Sequence, residues 1–448
     1  MSIAIWWIRR DMRLLDNGAL ASAASRGDVV PLFVVDPTFK KAGASRTQFM
    51  FATLRAMDLV ADKAVVLRHA DPETEVVAFA QSVGASSVHV TADFSPYGRA
   101  RDSKVRSRLE QAGIEFVEAD SPYAVNPGVV LKDDGTPLKV FTPFYKRWMN
   151  HVDLHDKTIL KVTWADFRSL CQGYPTTDAP ADTVFPVGEI ETWKRWTSWS
   201  KKSLDSYKAD RDNPGIDGTS QLSAALRFGV VHPRQLLRTL PASAGGDHFR
   251  SEIAWREFYA DVLFHLPQTM WENLQPKMNA LVNDSGPVAE ERFKKFCAAQ
   301  TGYPVVDAGI RQMLTTGWMH NRVRMIVASF LVKDLHLPWQ WGAKFFMDHL
   351  IDGDIASNNH GWQWTAGTGT DAAPYFRVFN PMSQSEKFDP SGSYIRRWIP
   401  ELQHVDNKSI HAPWTLGLLA PAEYPAPMVD HAVEREEALA RYKTASGK

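Results

Sequence analysis

The sequence has only two cysteines, Cys171 and Cys297, and they form no CxxC pair. A disulfide framework is therefore not expected, and the chain reads as cytoplasmic. It has no net charge, with 51 Lys+Arg against 51 Asp+Glu, so no global field points to nucleic acid. A local basic patch remains compatible with that balance. The apolar run at 325–332 is far short of the roughly 18 residues that a membrane span needs. The start, Met1-Ser2-Ile3, leads into an apolar stretch without a basic leader or small-residue cleavage site, so no signal peptide is expected. There is no internal repeat and no low-complexity tract. An HExxH motif and a carboxylate cluster of metal-ligand spacing are also absent, which speaks against metal-dependent chemistry.

What is present fits a globular protein of 448 residues, 44% hydrophobic and 23% charged, long enough for two or three domains. Sixteen tryptophans are the outlier in composition. Most are expected to serve packing.

Up to about residue 125, short β-branched runs at 3–8, 29–35, 64–67, 87–90 and 115–117 alternate with amphipathic stretches at 48–60, 73–83 and 98–111. That alternation predicts a doubly wound parallel sheet, a Rossmann-like α/β domain. The first strand is followed by Arg9-Arg10-Asp11-Met12-Arg13 and not by a Gly-rich dinucleotide fingerprint. Ligands of open α/β sheets sit beyond the strand C-termini. There the chain carries Asp93-Phe94-Ser95-Pro96-Tyr97-Gly98-Arg99-Ala100-Arg101-Asp102. Gly98 permits close backbone approach and Arg101 suits a phosphate or carboxylate.

Pro, Gly, Asp and Thr loosen the chain at 126–137 and 173–186, around a short helical stretch at 141–150. From about 190 the period is 3.6 residues throughout, over 193–211, 221–228, 233–240, 249–266, 289–299, 305–315, 321–335 and 340–350. The expected division is an α/β domain at 1–128, a linker at 129–190 and a large all-helical domain at 191–448.

Several groups of residues in the helical part bear chemistry. Gly218-Thr219-Ser220-Gln221-Leu222-Ser223 opens a helix, and small or hydroxylated residues there suit a pyrophosphate as readily as an ordinary cap. Glu252, Trp255 and Arg256 share one helix face, as do Asn321 and Met325. Arg324 is placed to pair with Asp352. The densest group runs from Trp318 to Asn380, through Trp318-Met319-His320-Asn321, Asp352-Gly353-Asp354, Asn358-Asn359-His360-Gly361-Trp362-Gln363-Trp364 and Gly369-Thr370-Asp371-Ala372-Ala373-Pro374-Tyr375-Phe376-Arg377. Polar groups interleaved with aromatics at this density suggest a pocket for a large guest, partly polar and partly aromatic.

These motifs, in this order, resemble the photolyase/cryptochrome family, and within it the class I cyclobutane pyrimidine dimer DNA photolyases. The resemblance implies noncovalent FAD held by Tyr207, Thr219, Ser220, Gln221, Leu222, Ser223, Phe249, Trp318, His320, Asn321, Arg324, Asp352, Gly353, Asp354 and Asn358, the last facing the reactive flavin nitrogen. It implies that Glu252 hydrogen-bonds the pyrimidine dimer and that Trp255 stacks on it. Asn321 and Met325 match enzymes for cyclobutane dimers, whereas enzymes for the (6-4) lesion carry histidines here.

Trp362 and Trp339 match the two inner members of the family's tryptophan electron relay. The outer position falls near Gly286, where there is no tryptophan. The DNA side would comprise Arg211, Glu252, Trp255, Arg256, Asn321, Arg322, Trp364 and Arg377. The segment with Asp93, Gly98 and Arg101 resembles members whose antenna is a deazaflavin or a flavin, not a folate.

The implied activity is light-driven repair. The enzyme flips the dimer out of damaged DNA and splits it with an electron from photoexcited reduced FAD, working as a monomer. The rival is a blue-light receptor, a cryptochrome, or a (6-4) enzyme. The short stretch after Pro400-Glu401-Leu402, about 40 residues, argues against a signalling tail, and Asn321 with Met325 argues against the (6-4) lesion.

Overall fold

The computed structural model describes residues 2–159, 161–175, 183–371 and 377–447. The chain forms two compact units. The first comprises Met1–Leu138, Thr142–Leu204 and Ser220–Pro267; the second comprises Lys139–Phe141, Asp205–Thr219 and Gln268–Lys448. The expected cut near residue 190 follows the change from strands to helices. The units are drawn by packing instead, and they cross that point.

Five strands make the sheet of the first unit: β1 (Ile3–Trp7), β2 (Asp28–Val35), β3 (Val66–His69), β4 (Ala85–Thr91) and β5 (Glu115–Asp120). All pairings are parallel, in the order β3-β2-β1-β4-β5. Apolar side chains are buried on both faces, Ile5, Val30, Leu32, Val66, Val88 and Val90 on one and Ala4, Trp6, Val29, Phe33 and Leu67 on the other, which explains why these runs read as continuous β-branched stretches. Three of the crossover helices start at side-chain caps. Asn17 accepts from Leu20 N, Asp71 from Glu73 N and Ser95 from Gly98 N. The order reverses between β1 and β4, the point where open α/β sheets take their ligands.

The same unit holds the Ala244–His265 helix. Its buried Glu257 accepts hydrogen bonds from Ala124 N (2.6 Å), Val125 N (3.0 Å) and Trp148 Nε1 (2.7 Å). One turn on, Asp261 accepts from Gly128 N at 2.7 Å. The helix thereby satisfies the loop that follows β5. A second tie is ionic. Arg234 meets Asp16 and Asp120, each at 2.8 Å, and all three side chains are at most 4% exposed. Burial alone would raise the Asp120 carboxyl, but bonds from Arg234 and the charges of His232 and Arg13 hold it far below the usual range.

The second unit is helical. Its core joins Val306, Ile310, Val323, Val327, Phe330, Leu331, Phe346, Trp362 and Ile395. The helix expected over 193–211 is interrupted. One helix ends at Ser203 and a single turn forms at Tyr207–Asp210. The run expected over 321–335 is α-helical to Ser329 and continues as one wider π-type turn, Phe330–Asp334. The helix Gly18–Ala24 has no counterpart in the periodicity, because seven small residues carry too little pattern.

Burial pushes the Glu257 carboxyl up to about 7, even though all its partners donate to it. A carboxyl raised above its ordinary 4.5 contributes stability below that value and loses it as pH rises through 7. Unfolding free energy should therefore fall by on the order of 2 kcal/mol between pH 5 and 8. Glu257→Gln should flatten this slope in urea unfolding. An unchanged slope in the variant would assign the pH dependence to another group.

Candidate functional site

In the second unit the helix Pro304–Thr316 ends at Gly317, and three residues lead to the helix Asn321–Ser329. His320 caps that second helix, its Nδ1 accepting from Arg322 N at 3.2 Å. The remaining proton of the neutral ring is therefore on Nε2, which is buried and has no hydrogen-bond partner among the described residues. Burial, reinforced by Arg324, Arg211 and Arg322 and opposed by Asp212, holds the ring's pKa down to about 4. His320 is thus a neutral donor in a cationic neighbourhood.

Arg324 donates from Nε to Met319 O at 2.8 Å and from Nη2 to both Asp352 oxygens at 2.8 and 3.1 Å. This is the ion pair expected between them. It fixes the turn before its own helix to the residue that precedes Gly353 and Asp354. Asp354 then caps the helix Ile355–Ala366, accepting from Ala356 N and Ser357 N. On that helix Asn358 donates from Nδ2 to Ala343 O (3.0 Å) and Asn359 Oδ1 (2.8 Å). Its amide nitrogen is committed inward, and what it offers elsewhere is its carbonyl oxygen, an acceptor.

Trp362 is one turn further on. Its ring meets Phe346 edge-on at 4.9 Å and lies against Gly342, where a Cβ would be 2.1 Å from the indole. Gly342 is on the helix Trp339–His349, one turn after Trp339, whose Nε1 donates to Asn273 Oδ1 at 2.9 Å. Trp362 Nε1 is buried without a partner among the described residues.

Asn321 is exposed and Met325 half-buried on the same helix, as their spacing requires. Trp318 packs edge-on against His320 at 6.0 Å, and Trp364 is half-buried. Tyr207 is buried beneath the Arg211 guanidinium, 5.6 Å from the ring. Tyr207 lies near the start, and Thr219 at the end, of the segment Asp205–Thr219. Arg322 has partners within the protein. It donates to Asp212 Oδ2 at 2.7 Å and lies 4.5 Å over the Phe388 ring. Arg377 is exposed. Of the run around it, residues 372–376 are outside the described residues.

The first unit carries the other expected residues. Ser220 accepts at its carbonyl from Arg195 Nε at 3.1 Å, and Gln221 takes a positive φ of 56°. Leu222 occupies the cap of the helix Ser223–Phe228, so no side chain caps its first N–H groups. Phe249 is buried against Trp196 at 5.0 Å and Trp199 at 5.7 Å. Glu252, Trp255, Arg256 and Tyr259 form a half-buried stripe on the Ala244–His265 helix, with Trp255 and Tyr259 in contact at 5.6 Å. Arg256 donates to Pro122 O and Leu226 O and covers Tyr123 at 4.6 Å. The deeply buried glutamate beside a tryptophan is Glu257, which the motif reading missed. Its position five residues after Glu252 places it on a different helix face, and that was the available signal.

At the switch point of the sheet, Asp93 accepts from Ser95 and pairs with Arg101 at 3.4 Å; Arg101 also donates to Asp102 at 2.8 Å. Arg9 meets the same Asp102 at 2.6 Å, and both arginines face the Trp7 ring, at 4.5 and 5.1 Å. Burial alone would raise Asp93, but Arg101, Arg10 and Arg9 hold it at about 2. The group that approaches Gly98 is Asp93, whose Cγ would lie 2.0 Å from a Cβ there.

Residues 4–161 match the family described as DNA photolyase, and residues 249–444 match the FAD binding domain of DNA photolyase. A deoxyribodipyrimidine photo-lyase of Vibrio cholerae is 37% identical, with 98% of this chain and 99% of that protein covered. The chain belongs to the DNA photolyase family. Among solved structures, a bacterial class III photolyase from Agrobacterium tumefaciens superposes with a TM-score of 0.90 at 33% identity, over 100% of this chain and 98% of that one. An archaeal photolyase from Sulfolobus tokodaii, crystallised with two FAD molecules, gives 0.86 at 28% identity, over 99% and 100%. The α/β sheet and helical majority are therefore those of photolyases. No helix among the described residues is long and apolar enough to cross a membrane.

Gly342→Ala tests the packing around Trp362. The new methyl overlaps the indole, so the ring must leave its place or the helices must part. Overpacking of this kind costs about 1–3 kcal/mol. The denaturation midpoint should fall accordingly, with a change in tryptophan fluorescence. A variant as stable as the parent would mean that the two helices are not so tightly apposed.

Proposed function

We propose that this protein repairs cyclobutane pyrimidine dimers in DNA by a light-dependent reaction, with noncovalent FAD as the working cofactor. The observation that carries the reading is the buried polar set of the second unit. His320 offers a neutral, unpartnered N–H, Arg324 and Asp352 form a fixed ion pair, Asn358 offers an acceptor and Trp362 lies one turn beyond. These residue types fit a flavin, which has phosphates and carbonyls for donors and, when reduced, a ring N–H for the Asn358 acceptor. They all fall within the stretch that matches the FAD binding domain. When bound and reduced, FAD supplies the photoexcited electron that opens the cyclobutane ring, and recovers it afterwards.

The chain supplies binding and electrostatics. Trp255, in its stripe with Tyr259, presents an aromatic face suited to an unstacked, flipped-out pyrimidine dimer. Glu252, one turn before it, hydrogen-bonds the dimer and supplies or shares a proton. Asn321 donates and accepts toward a thymine edge and Met325 adds a polarisable contact. Arg211, Arg256, Arg322 and Arg377 carry the charge that suits DNA phosphates, and Arg256, Arg322 and Arg211 also have partners within the protein. Trp362 and Trp339 supply electrons when the flavin must be reduced by light. A second chromophore, a deazaflavin or flavin rather than a folate, fits the switch point that holds Asp93 and Arg101. The support is its place in the fold and the flavin-containing archaeal relative.

A hydrogen bond to charge that develops during splitting is stronger than one to the ground state, so Glu252 should act on the splitting step more than on binding. Glu252→Ala should lower the repair yield per absorbed photon by the equivalent of about 1.5–3 kcal/mol in that step. FAD content and dimer affinity should stay near parental. Parental yield in the variant would remove Glu252 from the reaction.

A further inference from the structure

The segment Asp205–Thr219 packs with the second unit, although both its chain neighbours pack with the first. Its attachment is therefore made by its own contacts. Two are visible. Asp212 accepts from Arg322 at 2.7 Å, with the two side chains 30% and 19% exposed, and Arg322 lies flat over Phe388. Gly215 abuts Ser393, whose Oγ would lie 2.4 Å from a Cβ there, and Gly215 N donates to Asn213 Oδ1 at 2.9 Å. The segment carries Tyr207 and Thr219, and Arg322 follows Asn321 on the helix that His320 caps. A half-buried guanidinium with a carboxylate on one side and an aromatic ring on its face is held in one geometry, which a lysine would not reproduce.

We propose that Arg322 is a positioning residue. Through Asp212 it holds the 205–219 segment on the Asn321–Ser329 helix and so keeps Tyr207 and Thr219 in place for the flavin, instead of binding a DNA phosphate. The inference rests on the flavin reading above. It differs from the sequence expectation in what each partner should do when the other is removed. If Asp212 merely restrains a DNA-binding arginine, its loss frees a positive charge for phosphate. If the pair is a strap, either loss releases the same segment.

The test uses the full-length protein loaded with FAD, as Arg322→Gln, Asp212→Asn, the double variant and Arg322→Lys. Each single variant should release FAD about tenfold faster than the parent, the scale of one charge-assisted hydrogen bond. The double variant should be no worse than either single one, and Arg322→Lys should recover only part of the loss. Amide hydrogen exchange in residues 205–219 should rise in the same variants without FAD, while the denaturation midpoint moves little. The inference is overturned if Asp212→Asn tightens binding to undamaged duplex DNA with FAD release unchanged, or if the two single effects add. It is also overturned if exchange in the segment stays parental. A parent that takes up no FAD contradicts the flavin reading itself, and this is read on the parent alone before any variant is compared.

Discussion

The ion pair between Arg324 and Asp352 is the contact on which the second unit's candidate site depends. One guanidinium binds the Met319 carbonyl and both oxygens of a carboxylate that is 3% exposed. It thereby sets the turn that bears Trp318 and His320 and the start of the helix that bears Asn358 and Trp362. Removing one partner would leave the other charge buried and uncompensated, which is far costlier than never having built the pair. The arrangement is therefore maintained as a unit.

Around that pair, charge is graded by depth. Asp352 is buried beside its arginine. His320, also buried, is held neutral by burial and by three nearby arginines, so it donates without adding charge. Trp362, buried as fully as His320, is apolar except for one N–H, and it fits only because Gly342 has no side chain. A guest with an anionic part and a flat polar ring would meet donors, an acceptor and an aromatic edge in turn. The first unit uses the same physics for structure instead. Glu257, Asp261, Asp16 and Asp120 spend their bonding capacity on loop N–H groups and arginines.

The parallel sheet was legible because β-branched runs and amphipathic helices alternate at short intervals, and the strand positions agree within a few residues. The pairing of Arg324 with Asp352, and the shared faces of Glu252 with Trp255 and of Asn321 with Met325, followed from motif and helix spacing. Other features were not legible. The break between Ser203 and Tyr207 and the wider turn at Phe330–Asp334 depend on tertiary packing, which periodicity does not carry. The pairing of Arg322 with Asp212 was hidden because the two are 110 residues apart. Arg101 and its partners Asp93 and Asp102 stand in one short segment, but which of them pair depends on how that segment folds.

The account stands or falls on light-driven chemistry at a pyrimidine dimer. The direct measurement is restoration of a defined oligonucleotide that contains one cyclobutane thymine dimer, with FAD-loaded, chemically reduced protein, under blue light and in darkness. The account predicts restored thymines under light, none in darkness, and none when FAD is removed. Dimer loss in darkness, or an intact dimer after illumination of the reduced, FAD-loaded protein, would contradict it.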